Sequence, residues 1–163
     1  GVDPAAVSAT GPIRFRKGDA PHPIPMATSL HLVVADSGER CATAPMVQKV
    51  RDAIAHDPKA RETLDALGAI APRMESALVA GDLGTVGSLM NEAHAGLARL
   101  GLSTPRLDAM AQAARDAGAW GAKLSGSGGG GVVVALTPRE KAGAVAQQMQ
   151  EAGASTVTYT RIP

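Results

Sequence analysis

Two hydrophobic periods alternate along this chain. Ile13 and Phe15 interleave with Arg14 and Arg16, which predicts a short half-buried strand over 13–16. The proline-rich stretch KGDAPHPIP predicts a loop or linker. LHLVVAD, residues 30–36, predicts a buried strand. After it Val47, Val50 and Ile54 recur at helical spacing, with Thr43 as N-cap and Pro45 in the first turn. Leu64, Leu67, Ala71, Met74 and Leu78 form a second helical stripe, which Pro72 is expected to kink or divide. Asp82 caps a third helix bearing Leu83, Val86, Met90, Ala93, Leu97 and Leu100. Thr104 and Pro105 open a fourth bearing Leu107, Met110, Ala111 and Ala114, with Gly118 as its stop. GAKLS and GVVVAL read as strands, and Thr137, Pro138 and Glu140 read as a capping-box start. That last helix turns Val145 and Met149 inward and ends at Gly153; STVTYTRI is the final strand.

From residue 28 the order is strand, several helices, strand, strand, helix, strand. Without the extra helices this is βαββαβ, so the fold class expected is α+β: a ferredoxin-like split βαβ antiparallel sheet, helices on one face. The strand at 13–16 has no place in that unit.

Composition narrows the function. The 163 residues suffice for one domain with a core, and only 2% are aromatic, so that core must be aliphatic. A formal net charge of +1 leaves no electrostatic footprint for nucleic acid. Cys41 is the single cysteine, which excludes an internal disulfide, and the scattered His22, His31 and His56 have no zinc spacing. Apolar runs are too short for a membrane span and no signal segment opens the chain, so the expected setting is cytoplasmic. The start, GVDPAAV without methionine, reads as processed, cut, or one piece of something larger.

GAKLSGSGGGGVVVAL carries the candidate chemistry. Gly126, Gly128 and Gly131 fit G-x-G-x-x-G, but a dinucleotide site needs a helix there and VVVAL is a strand. No Gly-Lys-Ser/Thr closes the loop as a P-loop would. Either it is a long hairpin loop without ligand, or its backbone N–H groups form a concavity for phosphate oxygens. A hairpin needs only one or two glycines, which favours the second reading. Asp3, beside Pro4, is by composition a helix-start or turn aspartate. Lys123 points away from Leu124 and is expected to be solvated. Asn91 and His94 read as a packed or hydrogen-bonded pair at a helix interface, and Asp36 as turn chemistry with Ser37 and Gly38.

KLSGSGGGG resembles the third motif of the GHMP kinases, with Ser125 for the usual threonine and Ser127 for alanine. GVDPAAVSATGPIRF, VVADSGERCATAPMV and MNEAHAGLARLGLSTPRLDAM resemble further segments of the same family, in order and over nearly the whole chain. The resemblance implies residues 28–163 as the family's C-terminal domain and 1–27 as a remnant of its N-terminal domain plus linker. It implies ATP with Mg2+ as cofactors, the metal ligands lying mainly in an N-terminal half absent from this sequence. That half is the partner expected, a homodimer being allowed. The acceptor implied is mevalonate, phosphorylated on its primary hydroxyl; phosphomevalonate or another small alcohol is the alternative. Asp3 becomes the catalytic carboxylate, Ser125, Gly126, Ser127, Gly128, Gly129 and Gly130 the ATP-phosphate loop, and Thr43 an acceptor-substrate contact; no metal ligand is assigned. A non-catalytic ferredoxin-like binding module is the rival from another class.

Overall fold

The computed structural model describes residues 11–16 and 18–163. Strand β1 (Ile13–Arg14) pairs antiparallel with β2 (His22–Pro23), Ile13 opposite Pro23. The strand expected at 13–16 is thus shorter, and its partner lies in the stretch expected to be loop. This hairpin stays apart from the main sheet and reaches the helical region through Arg14–Glu75 at 3.3 Å.

The main sheet contains β3 (Leu30–Asp36), β4 (Gly121–Ser125), β5 (Val132–Leu136) and β6 (Thr156–Ile162) in the order β4-β5-β3-β6, every pair antiparallel. This is the expected split βαβ arrangement. Between β3 and β4 run α1 (Thr43–His56), α2 (Pro58–Ala80), α3 (Leu83–Arg99) and α4 (Pro105–Asp116); α5 (Ala142–Glu151) joins β5 to β6.

Strand alternation divides the core. Val33, Ala35, Ala122, Leu124, Val133 and Ala135 face α4 and α5, meeting Leu107, Met110, Ala114, Val145 and Met149, all fully buried. The opposite face presents Leu30, Leu32, Val134 and Leu136 to Ile70, Met74 and Ala77 of α2 and Val86, Leu89 and Met90 of α3. Helices therefore cover both faces, not one. Helix α1 has no buried residue and packs over Leu100 and Leu102.

Several expectations about helix ends need correction. Ala42, not Thr43, is the N-cap of α1, and no side chain caps it; Thr43 is already helical. Pro72 does not divide α2. Gly68 and Pro72 lie on the exposed side, so the carbonyl that loses its donor is on the solvent side of the helix, while Ile70 and Met74 hold the opposite face. Ile70 takes the inward position expected of Ala71, which is exposed. The capping box at Thr137 does not form. Its N–H donates to His31 O and its buried hydroxyl to Pro138 O, leaving a 3-10 turn (Arg139–Lys141) to lead into α5. Asp82 and Thr104 cap as expected, accepting from the N–H groups of Thr85 and Leu107.

Helix α3 runs along the outer edge of β4, closer than side chains normally permit. A β-carbon at Gly87 would lie 2.5 Å from the Trp120 carbonyl carbon, and one at Gly121 would collide with the Gly87 carbonyl oxygen. By contrast, Gly143, in α5, has open space around it. Gly121→Ala is expected to cost at least about 3 kcal/mol by overpacking. Gly143→Ala should gain about 0.5–1 kcal/mol. Urea unfolding of the two variants checks both; equal stabilities would refute the close approach.

Candidate glycine-loop site

The loop between β4 and β5 turns sharply. Gly126, Gly128, Gly129, Gly130 and Gly131 all have positive φ, from 72° to 137°. The reason for so many glycines differs from the expected one. At three positions the close neighbour is this chain itself. A β-carbon on Gly128 would collide with Leu102 O, and one on Gly130 would lie 2.7 Å from Glu39 O. One on Gly129 would lie 2.9 Å from both Cys41 Sγ and Met46 Sδ. Only at Gly126, of the five, does nothing come within 4 Å. Side chains at Gly128 therefore threaten the loop's own seat before any ligand.

That seat is built from the turn between β3 and α1 and from Leu102, in the connection between α3 and α4. Gly129 N–H donates to Leu102 O at 2.8 Å, Gly131 N–H to Glu39 O at 3.0 Å, and Ser37 N–H to Gly131 O at 2.9 Å. Glu39 is a clamp missed in the sequence: its carboxylate accepts from Thr104 Oγ1 at 2.8 Å and lies 3.7 Å from Arg106 Nε. Arg106 also donates to the carbonyl of fully buried Ser37. No periodicity marks these residues, because they act across 65 or more positions of sequence.

With Gly129 and Gly131 committed, the N–H groups of Gly126, Ser127, Gly128 and Gly130 have no acceptor among the described residues. These residues, with Glu39, Arg40, Cys41, Ser125 and Gly131, line a cleft of about 150 Å³. Backbone N–H groups left uncommitted in a glycine-rich turn are the kind of donors that an anion engages. Arg40 adds a cation. It grips Asp36 with two bonds of 2.8 and 2.9 Å, and the Gly38 N–H also donates to that carboxylate. The Arg40 hydrogen bonds, then the Gly38 N–H, pull Asp36 down to about 2. Asp36 is thus turn chemistry, as expected, and orients Arg40 besides.

Thr43 is exposed at the first turn of α1, two residues from Cys41. Lys123 is not solvated as expected: it is half-buried, donates to Leu124 O at 2.6 Å, and burial lowers its pKa. Asp3 lies outside the described residues. The described residues contain no group of three His, Cys, Asp or Glu side chains that would hold a metal ion, and no helix long and apolar enough to cross a membrane.

Asn91 and His94 give the loop's first strand its outer support, which is more than a helix–helix contact. Asn91 Oδ1 accepts from Ala122 N–H at 3.0 Å, and its amide donates to Trp120 O. His94 Nδ1 accepts from Leu124 N–H at 3.2 Å, so Nε2 carries the proton and donates to Asp108 at 3.0 Å. Ser103 Oγ donates to the same carboxylate oxygen. Edge groups of β4 that would otherwise be unpaired are satisfied by side chains.

The sequence profile described as "GHMP kinases C terminal" matches residues 74–155, half of the chain. The chain belongs to the GHMP kinases. Mevalonate kinase of Pyrococcus horikoshii is 37% identical over 144 residues, 85% of this chain and 42% of the relative. The crystal structure of L. major mevalonate kinase in complex with R-mevalonate superposes with a TM-score of 0.85 and 30% identity, over 92% of this chain and 48% of that one. Streptococcus pneumoniae phosphomevalonate kinase, in complex with phosphomevalonate and AMPPNP, shares the fold at 0.73 with 19% identity, over 86% and 42%. The chain therefore spans a little under half the length of these kinases.

His94, only 6% exposed, is held below its ordinary value of 6.5 by burial, against the opposing pull of Asp108; Arg115 and Lys123 lower it further. The unfolded chain protonates near pH 6.5 while the folded one resists to lower pH. Stability from this residue is therefore complete above that value and declines as pH falls through it. His94→Gln keeps a neutral acceptor and donor. Its denaturant midpoint should fall less between about pH 7 and 5 than that of the parent chain; parallel slopes would refute the assignment.

Proposed function

We propose that this chain is the C-terminal half of a mevalonate kinase, whose glycine loop receives the phosphates of ATP while the primary hydroxyl of mevalonate is phosphorylated. The observation that carries this is the cleft itself. Gly126, Ser127, Gly128 and Gly130, whose N–H groups have no acceptor among the described residues, line it together with Arg40. Phosphoryl transfer requires mainly positioning and neutralisation of charge, and such donors supply both without reorganising. Similarity to mevalonate kinases, including one complexed with R-mevalonate, favours that acceptor.

In this reading Gly126, Ser127, Gly128 and Gly130 donate N–H groups to phosphate oxygens, and Ser125 and Ser127 add hydroxyls. Gly129 acts differently: its N–H is committed to Leu102, so it seats the loop. Asp3 is assigned as the carboxylate that orients the attacking hydroxyl and accepts its proton. Thr43 contacts the acceptor. No magnesium ligand is assigned among the described residues; Mg2+ is taken to be held mainly by the preceding half of the kinase. The preceding half of the kinase is the required partner, and the lone exposed thiol of Cys41 suits a reducing cytoplasm.

The test is steady-state kinetics on the complete kinase, with mevalonate and phosphomevalonate as rival acceptors. Mevalonate should be the better substrate. Asp3→Asn should lower kcat by about a hundredfold or more with substrate binding changed less. Gly126→Ala, which meets no neighbour but strains the backbone at its φ of 91°, should raise KM for ATP by about tenfold at a modest loss of stability, with an unchanged circular dichroism spectrum. The 163-residue chain alone should show no turnover. A preference for phosphomevalonate, full kcat in Asp3→Asn, or turnover by the chain alone would overturn the reading.

A further inference from the structure

A second cavity, of about 660 Å³, lies at the other end of the sheet from the glycine loop. The loop leaves β4 and β5 at Ser125 and Val132. The cavity lies beyond the opposite ends of these strands, four residues or roughly 13 Å away along β4. The proposed kinase chemistry makes no use of it.

Its lining is unlike the rest of the molecule. The chain contains one tryptophan and one tyrosine, and both line this cavity. Trp120 and Tyr159 are 37% and 46% exposed, large apolar surfaces left open to water. The Tyr159 ring lies beside His31 and nearly coplanar with it, with centroids 6.0 Å apart and planes 12° from parallel, and the Tyr159 hydroxyl is hydrogen-bonded to His31 Nδ1. This pair presents a flat, preassembled surface. Arg139 and Arg161 also line the cavity, against a single carboxylate, Glu140. Arg161 is oriented by its bond to Ser29 Oγ at 2.8 Å, and Arg139 has no ion pair among the described residues.

These groups define one ligand chemistry. Planar aromatic faces take a planar ring by stacking. Guanidinium groups take phosphate oxygens, for which their fork of donors is suited. Glu140 accepts from an amino or hydroxyl group. The volume falls in the range of small-molecule sites. We propose that this cavity binds a planar heterocycle carrying a phosphate, of the nucleoside monophosphate kind, at a site separate from the glycine loop.

Trp120 is the only tryptophan, so its fluorescence reports on the cavity directly in the 163-residue chain. AMP, adenosine and inorganic phosphate are the probes. AMP should change the emission saturably with a midpoint at or below about 1 mM. Adenosine and phosphate alone should each bind at least about tenfold more weakly. Arg139→Ala and Arg161→Ala, both at exposed positions, should each raise the AMP midpoint by about tenfold with an unchanged circular dichroism spectrum. Gly126→Ala, in the distant loop, should leave the midpoint unchanged. No saturable change up to about 10 mM AMP would overturn the proposal. So would a change indifferent to both arginines, or one abolished by Gly126→Ala. The readout needs no catalysis, so it stands or falls independently of the proposed kinase reaction.

Discussion

Helix α3 and strand β4 approach so closely that neither Gly87 nor Gly121 has room for a β-carbon. That contact sets the register of everything downstream. With Gly87 against Trp120 and Gly121, Asn91 falls one helical turn on, level with Trp120 and Ala122. His94 falls a further turn on, level with Leu124. The strand that would have been a bare sheet edge is thereby fastened along its length, and it delivers Ser125 and the glycine loop to one place. Beyond α3, Leu102 provides the carbonyl that receives Gly129 and leaves no room for a side chain at Gly128. One helix thus supports both the strand and the loop it carries.

The loop's glycines serve two purposes that sequence alone merges. Those at 128, 129 and 130 let the chain pack against its own backbone and side chains; the one at 126 leaves the cleft open. The second purpose depends on the first. Uncommitted N–H groups can bind an anion only if the backbone carrying them does not relax to satisfy itself, and the Gly129–Leu102 and Gly131–Glu39 bonds prevent that relaxation. Glu39, held by Thr104 and Arg106, ties the cleft's second wall to the start of α4.

What the sequence made legible follows from the range of the interactions. Apolar periodicity located every long helix and the four sheet strands, because Val33, Leu107, Met110 and Met149 are inward for reasons visible within a few residues. Asp82 and Thr104 could be identified as caps because a cap acts over three residues. Thr137 failed as a cap because its N–H is held by His31, more than a hundred positions earlier. Pro72 was misjudged because its exposure depends on what α2 packs against. The glycine loop could be singled out as a candidate site, but its seat could not: Glu39, Arg106 and the buried environment of Lys123 arise from contacts that no local pattern records.

The account's central claim is that the loop's amides divide into committed and uncommitted sets. Amide hydrogen exchange, resolved residue by residue, tests it most directly. Slow exchange is predicted at Gly129 and Gly131 in the free protein, with faster exchange at Gly126, Ser127, Gly128 and Gly130, fastest at the exposed Gly126. In the complete kinase, MgATP or a non-hydrolysable analogue should slow the fast set and leave the slow set unchanged. Rapid exchange at Gly129 and Gly131, or no response of the other four to nucleotide, would contradict it.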